Sequence, residues 1–356
     1  MKIRHGGNRE EVAYKTGVDI NKLVDFSANI NPLGISFKMK KVLQEALSDI
    51  VYYPNPKYPK LKQSIASHFN IRDKEVFVGN GAMQIIFNTV LALNVKQALV
   101  LAPTFGEYER SFKENNIFVN HLALSKTNNF QVNIEVLITF LKKHPGIDLI
   151  CLCNPNNPTG QLIEPKKIKE LEQFCRTYHK WLILDEAFMD FACHDKFSYI
   201  PNLIDGSPVI IIRSATKFFA IPGLRLGFAV VKNPPLQEKL SSQIETWSVN
   251  TLAQKFGENM YKDQNYIKKT YLWLKKEKAY LYRQLKNIPY LKVYPSETNF
   301  YFFKSQLDHL REKLWKFGIM IRDCSDYYSL GKSYYRVAVR SHLENQKLVN
   351  SLKKLS

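Results

Sequence analysis

The chain has 356 residues, 45% of them apolar, which suits a soluble globular protein of one large or two medium domains with a sizeable core. It carries 51 basic against 32 acidic residues, a formal charge of +19. The lysines are scattered, with no zinc-ligand spacing and no basic arm, so a solvated surface that draws in phosphorylated metabolites is expected, with no nucleic-acid partner. No uncharged apolar run approaches the ~18 residues of a membrane span, the start lacks the apolar core of a signal peptide, and five cysteines in this length argue against a disulfide scaffold, so a cytoplasmic protein with no membrane partner is expected.

Residues 1–34 read as an irregular N-terminal arm ending in Asn29-Ile30-Asn31-Pro32-Leu33-Gly34. Met39, Val42, Leu43, Ala46 and Leu47 fall on one face of a helix over residues 37–50, which Tyr52-Tyr53-Pro54-Asn55-Pro56 breaks. A second helix follows from Pro59 to Phe69. Strands and helices then alternate, with strands expected at Val76–Val78, Ala98–Ala102, Leu149–Cys153, Trp181–Leu184, Val209–Arg213 and Phe228–Val231. Met83, Ile86, Phe87, Val90 and Leu91 mark one intervening helix, and Pro165 opens another. Near-continuous apolar strands separated by helices predict an α/β fold: a large domain, residues 35–235, whose mostly parallel sheet is covered on both faces. After Pro234-Pro235 comes a long polar helical stretch, about Leu252 to Leu285, then short strands at Leu291–Tyr294, Asn299–Phe303 and Tyr334–Val339. These predict a smaller α+β domain over residues 236–356.

Several stretches carry chemistry. Gly79-Asn80-Gly81 turns a strand into a helix, whose N-terminus suits phosphate; the side chains that follow, Ala82 and Met83, are apolar, so binding there rests on backbone amides. A Gly-x-Gly turn alone is equally a tight turn. Asn154-Pro155-Asn156-Asn157-Pro158-Thr159-Gly160 follows a strand, where open α/β sheets hold ligands. Asp185 closes an apolar strand and needs a partner there, because an unpaired buried carboxylate is costly; capping a helix is the other use of such a residue. Lys217 sits in Ser214-Ala215-Thr216-Lys217, between small polar residues and an apolar run. Burial there lowers the pKa of its amine and makes it a nucleophile toward a carbonyl, although a lone lysine also reads as a surface residue. Arg225 follows in Gly223-Leu224-Arg225-Leu226-Gly227.

The spacing Ser-x-Thr-Lys followed by Gly-x-Arg-x-Gly resembles the lysine segment of fold-type I pyridoxal-phosphate enzymes, the class I/II aminotransferase family. The phosphate turn, the aromatic of Pro103-Thr104-Phe105, the Asn-Pro-x-x-Pro-Thr-Gly loop and the strand-terminal Asp185 match in the same order, so the resemblance covers nearly the whole chain. It implies pyridoxal 5′-phosphate as cofactor, linked to Lys217, with Asp185 on the ring nitrogen and Asn157 on O3′. Phe105 would stack on the ring, or else simply pack in the core. Gly81, Ala82, Met83, Ser214, Thr216 and Arg225 would hold the phosphate. It also implies a homodimer with shared active sites, Tyr53 reaching the phosphate from the partner subunit.

Two groups within the family compete: histidinol-phosphate aminotransferases and threonine-phosphate decarboxylases of cobalamin synthesis. His5-Gly6-Gly7-Asn8, Asp25–Gly34, Trp247-Ser248-Val249-Asn250 and Tyr334–Ser341 resemble the decarboxylases more, as does Phe188 where the aminotransferases usually carry a tyrosine hydroxyl. That resemblance implies a small phosphorylated amino acid as substrate, with Arg336 on its carboxylate. Arg322, Arg340, Asn31, Asn157 and His5 are further candidates for the substrate, Arg340 and His5 reading equally as a surface ion pair and a mobile tail. A pseudo-enzyme keeping only the fold is the remaining alternative, against which the joint presence of Lys217, Asp185, Asn157 and Arg225 speaks.

Overall fold

The computed structural model describes residues 5–192 and 196–355. Residues 1–4 of the expected arm, 193–195 of the expected large domain and 356 of the expected small one lie outside them. The strands, in chain order, are Val24–Asp25 (β1), Val76–Asn80 (β2), Gln97–Ala102 (β3), Phe118–Ala123 (β4), Leu149–Cys153 (β5), Trp181–Asp185 (β6), Val209–Ser214 (β7), Leu226–Val231 (β8), Leu291–Val293 (β9), Phe300–Ser305 (β10), Ile319–Met320 (β11), Arg322–Asp323 (β12) and Tyr334–Ala338 (β13).

Seven of these form the central sheet in the order β2-β8-β7-β6-β5-β3-β4. The pairings β7–β6, β6–β5, β5–β3 and β3–β4 are parallel, and β8 runs antiparallel to both its neighbours. The sheet is therefore mostly parallel, as expected. Its strands are apolar throughout because both faces are covered. Leu182, Leu184, Val209 and Ile211 enter one core, and Ile183, Ile210 and Ile212 enter a second on the opposite face. The period of two along a strand produces this division. Strand β4 was not expected; it is an edge strand with partly exposed residues, so it lacks the apolar run that marked the others.

A four-stranded antiparallel sheet, β12-β13-β10-β9, forms the core of the C-terminal part. The expected long helical stretch is divided into Thr251–Gly257, a short 3₁₀ turn at Met260–Lys262, and Gln264–Lys286, whose start Asp263 caps by accepting from the Tyr266 amide.

The arm is not irregular. Arg9–Thr16 is a helix, capped by the Asn8 side chain at one end and by left-handed Gly17 at the other. Only Val12 on it is buried, so no apolar periodicity announces it. Strand β1 then pairs parallel with β11, and Ala338 N–H donates to Phe26 O at 2.9 Å, which ties the arm to the C-terminal sheet.

Candidate active site

Strands β5 and β6 end level with one another, Cys153 facing Asp185, and β7 runs two residues further, from Ile212 opposite Asp185 to Ser214. Beyond these ends lies a cavity of about 870 Å³. Parallel strand ends are where open α/β sheets place ligands.

Lys217 lines this cavity from the short helix Ala215–Phe218 that follows β7. Burial, then the positive charges of Arg336 and Arg225, push its amine down to about 8, against the pull of Asp185. A substantial neutral fraction at neutral to mildly basic pH is what a nucleophilic amine requires. Ser214 and Thr216 share a hydrogen bond of 2.8 Å between their hydroxyls, and both line the cavity.

Asp185 is buried at the end of β6. Its Oδ1 accepts from the Ala187 amide at 2.8 Å and its Oδ2 from the Tyr108 hydroxyl at 2.5 Å. Among the described residues no lysine, arginine or histidine forms an ion pair with it. Burial raises its pKa, opposed by Tyr108, Ala187 and Lys217. Burial and the Asp185 charge raise the pKa of Tyr108 well above the ordinary tyrosine value, so Tyr108 remains a donor. Sequence reasoning missed Tyr108. Its ring sits edge to face with that of Phe105 at 5.6 Å between centroids, and both line the cavity.

The helix Gly81–Leu93 starts at the cavity rim, where Ala82 and Met83 line the wall. Gly81 has φ of +79°, and a Cβ there would lie 2.5 Å from Nη2 of Arg225. Glycine is thus required both by the turn and by the guanidinium that lies across it. Arg225 lines the cavity and donates to Pro222 O at 3.2 Å. A helix start beside an arginine is an anion site.

Arg336 enters from β13 and is 6% exposed. One terminal nitrogen donates to Asn157 Oδ1 in a short bond and the other to Ser27 O at 2.8 Å, while its Nε is buried without a partner. None of these acceptors is a carboxylate, so among the described residues the guanidinium has no bonded counter-ion, and burial lowers its pKa. Tyr327 also donates to Asn157 Oδ1, at 3.2 Å. Arg322, from β12, lines the same cavity paired with Asp326 at 2.8 Å. Burial works against its charge, yet Tyr327 and Asp326 hold its pKa above the usual arginine value. Phe188 is packed edge to face on Phe300 at 5.1 Å, and His5 comes over from the arm.

Four expected residues do not line this cavity: Gly81, which lies behind the Arg225 guanidinium, and Asn31, Arg340 and Tyr53. Asn31 is buried, its amide donating to Phe218 O and to Thr270 Oγ1, both at 2.9 Å. It braces the backbone around Lys217, whose carbonyl accepts from Asn31 N–H, and is therefore not a substrate contact here. Arg340 pairs with Glu344 at 2.7 Å and donates to Asp25 O at 3.1 Å, which makes it an ion-paired tie to the arm. Tyr53 is exposed and stacks on Trp247 at 4.3 Å, outside the cavity of its own chain. Glu186, next to Asp185, is structural: with Asp190 it holds the buried Arg213.

Residues 21–355 match the family model for aminotransferase class I and II, and the chain belongs to that family. It is 36% identical over 98% of its length to the threonine-phosphate decarboxylase of Salmonella typhimurium, covering 95% of that protein. It is 31% identical over 98% of its length to the adenosylcobalamin biosynthesis bifunctional protein CobDQ of Leptospira interrogans, of which it covers 40%. Among solved structures, the histidinol-phosphate aminotransferase of Clostridium acetobutylicum superposes with a TM-score of 0.88 at 30% identity, over 94% of this chain and 99% of that one.

The family works with pyridoxal 5′-phosphate, and the residues present fit that group. A buried carboxylate without a cationic side-chain partner suits a protonated ring nitrogen. An amine of lowered pKa suits an aldehyde. A glycine turn closed over by Arg225 at a helix start suits a phosphate.

Proposed function

We propose that the chain decarboxylates a small phosphorylated amino acid, L-threonine O-3-phosphate or L-serine O-phosphate, with pyridoxal 5′-phosphate as cofactor. The product is the aminoalkyl phosphate used in cobalamin nucleotide-loop assembly. The observation that carries this reading is Arg336, buried in the cavity wall that Arg322 also lines and bonded to no carboxylate among the described residues. Planar guanidinium groups hold carboxylate and phosphate in bidentate fashion, and two of them suit a substrate bearing both.

In this reading Lys217 would hold the cofactor at its aldehyde and Asp185 at its ring nitrogen, Phe105 would pack against it, and the amides at Ala82 and Met83 with Ser214, Thr216 and Arg225 would hold its phosphate. Asn157 accepts from Arg336 and Tyr327 through Oδ1, which leaves its NH₂ as the donor for O3′. Bound there, the cofactor would supply a protonated ring as the electron sink for cleavage of a bond at Cα. Residues of this chain decide which bond that is. Held at its phosphate by Arg322 and His5, a short substrate presents the Cα–carboxylate bond for cleavage, Arg336 steering the carboxylate. Carbon dioxide leaves, and Lys217 in its ammonium form gives a proton to Cα in its place, becoming the neutral amine.

The enzyme in this reading is a cytoplasmic homodimer. Exposed Leu47, Ile50, Val51, Tyr52 and Tyr53 beside Trp247 form an apolar surface suited to a second copy, which would bring Tyr53 to the partner's phosphate. Sedimentation of the holoenzyme as a monomer would remove Tyr53 from the site.

Steady-state rates on threonine phosphate, serine phosphate and histidinol phosphate test the substrate assignment. Turnover of the first two is expected, within about 200-fold of one another, since one methyl group changes discrimination by only about 1–3 kcal/mol. Reaction of histidinol phosphate alone would favour the activity named for the Clostridium structure instead.

A further inference from the structure

We propose that Glu107 is a positioning residue that holds His5 over the substrate phosphate; this rests on the reading above that His5 reaches that phosphate. Glu107 opens the helix Glu107–Glu114, and its side chain turns into the cavity wall at 6% residue exposure. A buried carboxylate in a cavity that takes a phosphate repels the ligand unless cations offset it. Arg110 is one such cation, its Nη1 3.2 Å from Oε2; the buried Oε1, without a hydrogen-bond partner among the described residues, lies 3.0 Å from His5 Nε2.

The arm is built to bring His5 to that carboxylate. Gly6 lies so close to Ser27 that a Cβ there would sit 2.2 Å from the Ser27 carbonyl oxygen. Gly7 N–H donates to Ser27 Oγ at 2.8 Å, and Gly7 has φ of +91°. Two adjacent glycines thus pin the chain to one wall of the cavity, and His5 crosses to Glu107 on the other. The Ser27 carbonyl also accepts from Arg336, so the residue that anchors the arm touches the arginine assigned to the carboxylate. The His5 ring sits edge to face with Phe105 at 6.3 Å, above the aromatic assigned to the cofactor ring. With Nε2 on Glu107, Nδ1 is the ring nitrogen left for a ligand.

The test compares Glu107→Gln, His5→Ala and the double variant, each as holoenzyme, on threonine phosphate. His5→Ala and Glu107→Gln are each expected to raise KM about 10-fold, the scale of one charge-assisted contact, with kcat changed less than about 3-fold. The double variant is expected to match the single ones, because both remove the same contact. A merely structural Glu107 would lower thermal stability without this split between KM and kcat. If Glu107→Gln does not fold, Glu107→Asp carries the same test, with a smaller KM rise. A normal KM in the Glu107 variant beside a raised KM in His5→Ala overturns the role of Glu107 and leaves His5 in place, as does an additive double variant. A normal KM in His5→Ala overturns the phosphate contact, and the role of Glu107 with it.

Discussion

Lys217→Ala is expected to lose turnover by on the order of 10⁴-fold or more, because in the proposed mechanism one residue is both the attachment point of the cofactor and the acid that protonates Cα. The fold should survive, since Lys217 faces the cavity rather than either core. Borohydride reduction of the wild-type holoenzyme followed by peptide mapping should leave pyridoxyl on Lys217, and a label on another lysine would contradict the assignment. The amine also sets a pH dependence. Because its pKa is lowered to about 8, cofactor uptake by the apo-protein should speed up as pH rises through about 8 and level off above it. Arg336→Met removes a positive neighbour, so the midpoint should move upward, toward the ordinary lysine value.

Asp185→Asn should cost about 3–5 kcal/mol of transition-state stabilisation, roughly 10²–10⁴-fold in rate, the scale of a buried ion pair broken on one side. Burial already disfavours the Asp185 charge, and the chain supplies Tyr108 and the Ala187 amide to support it. Asparagine retains a carbonyl acceptor for Tyr108 but cannot hold a proton on the ring nitrogen. Circular dichroism should be unchanged while kcat falls. A variant turning over at near the normal rate would remove Asp185 from the mechanism.

The features legible in the sequence sit at strand ends, where an apolar run stops at a polar residue. Asp185, Asn157 and Lys217 each follow such a run, and the cavity brings them together. Side-chain direction was less legible. Asn31 engages Phe218 and Thr270, far from it in the chain, so nothing in the local sequence separates a brace from a ligand contact. For Arg340 the signal was present. Glu344 follows four residues later on the helix His342–Lys353, whose cap at Ser341 places that carboxylate beside the guanidinium. Glu107 and Tyr108 went unread because they sit in a helix of eight residues, too short for periodicity to divide cavity from core. The arm helix escaped for a related reason: with one buried residue, its caps at Asn8 and Gly17 define it rather than an apolar face.

The most direct measurement is to incubate the holoenzyme with threonine phosphate and no keto acid, and to follow carbon dioxide and aminopropanol phosphate. Arg322, Arg336 and His5 around one cavity predict both products in equal amounts over many turnovers. Release of no carbon dioxide, with reaction halting after one equivalent and resuming only when 2-oxoglutarate is added, would identify an amino-group transfer and contradict decarboxylation.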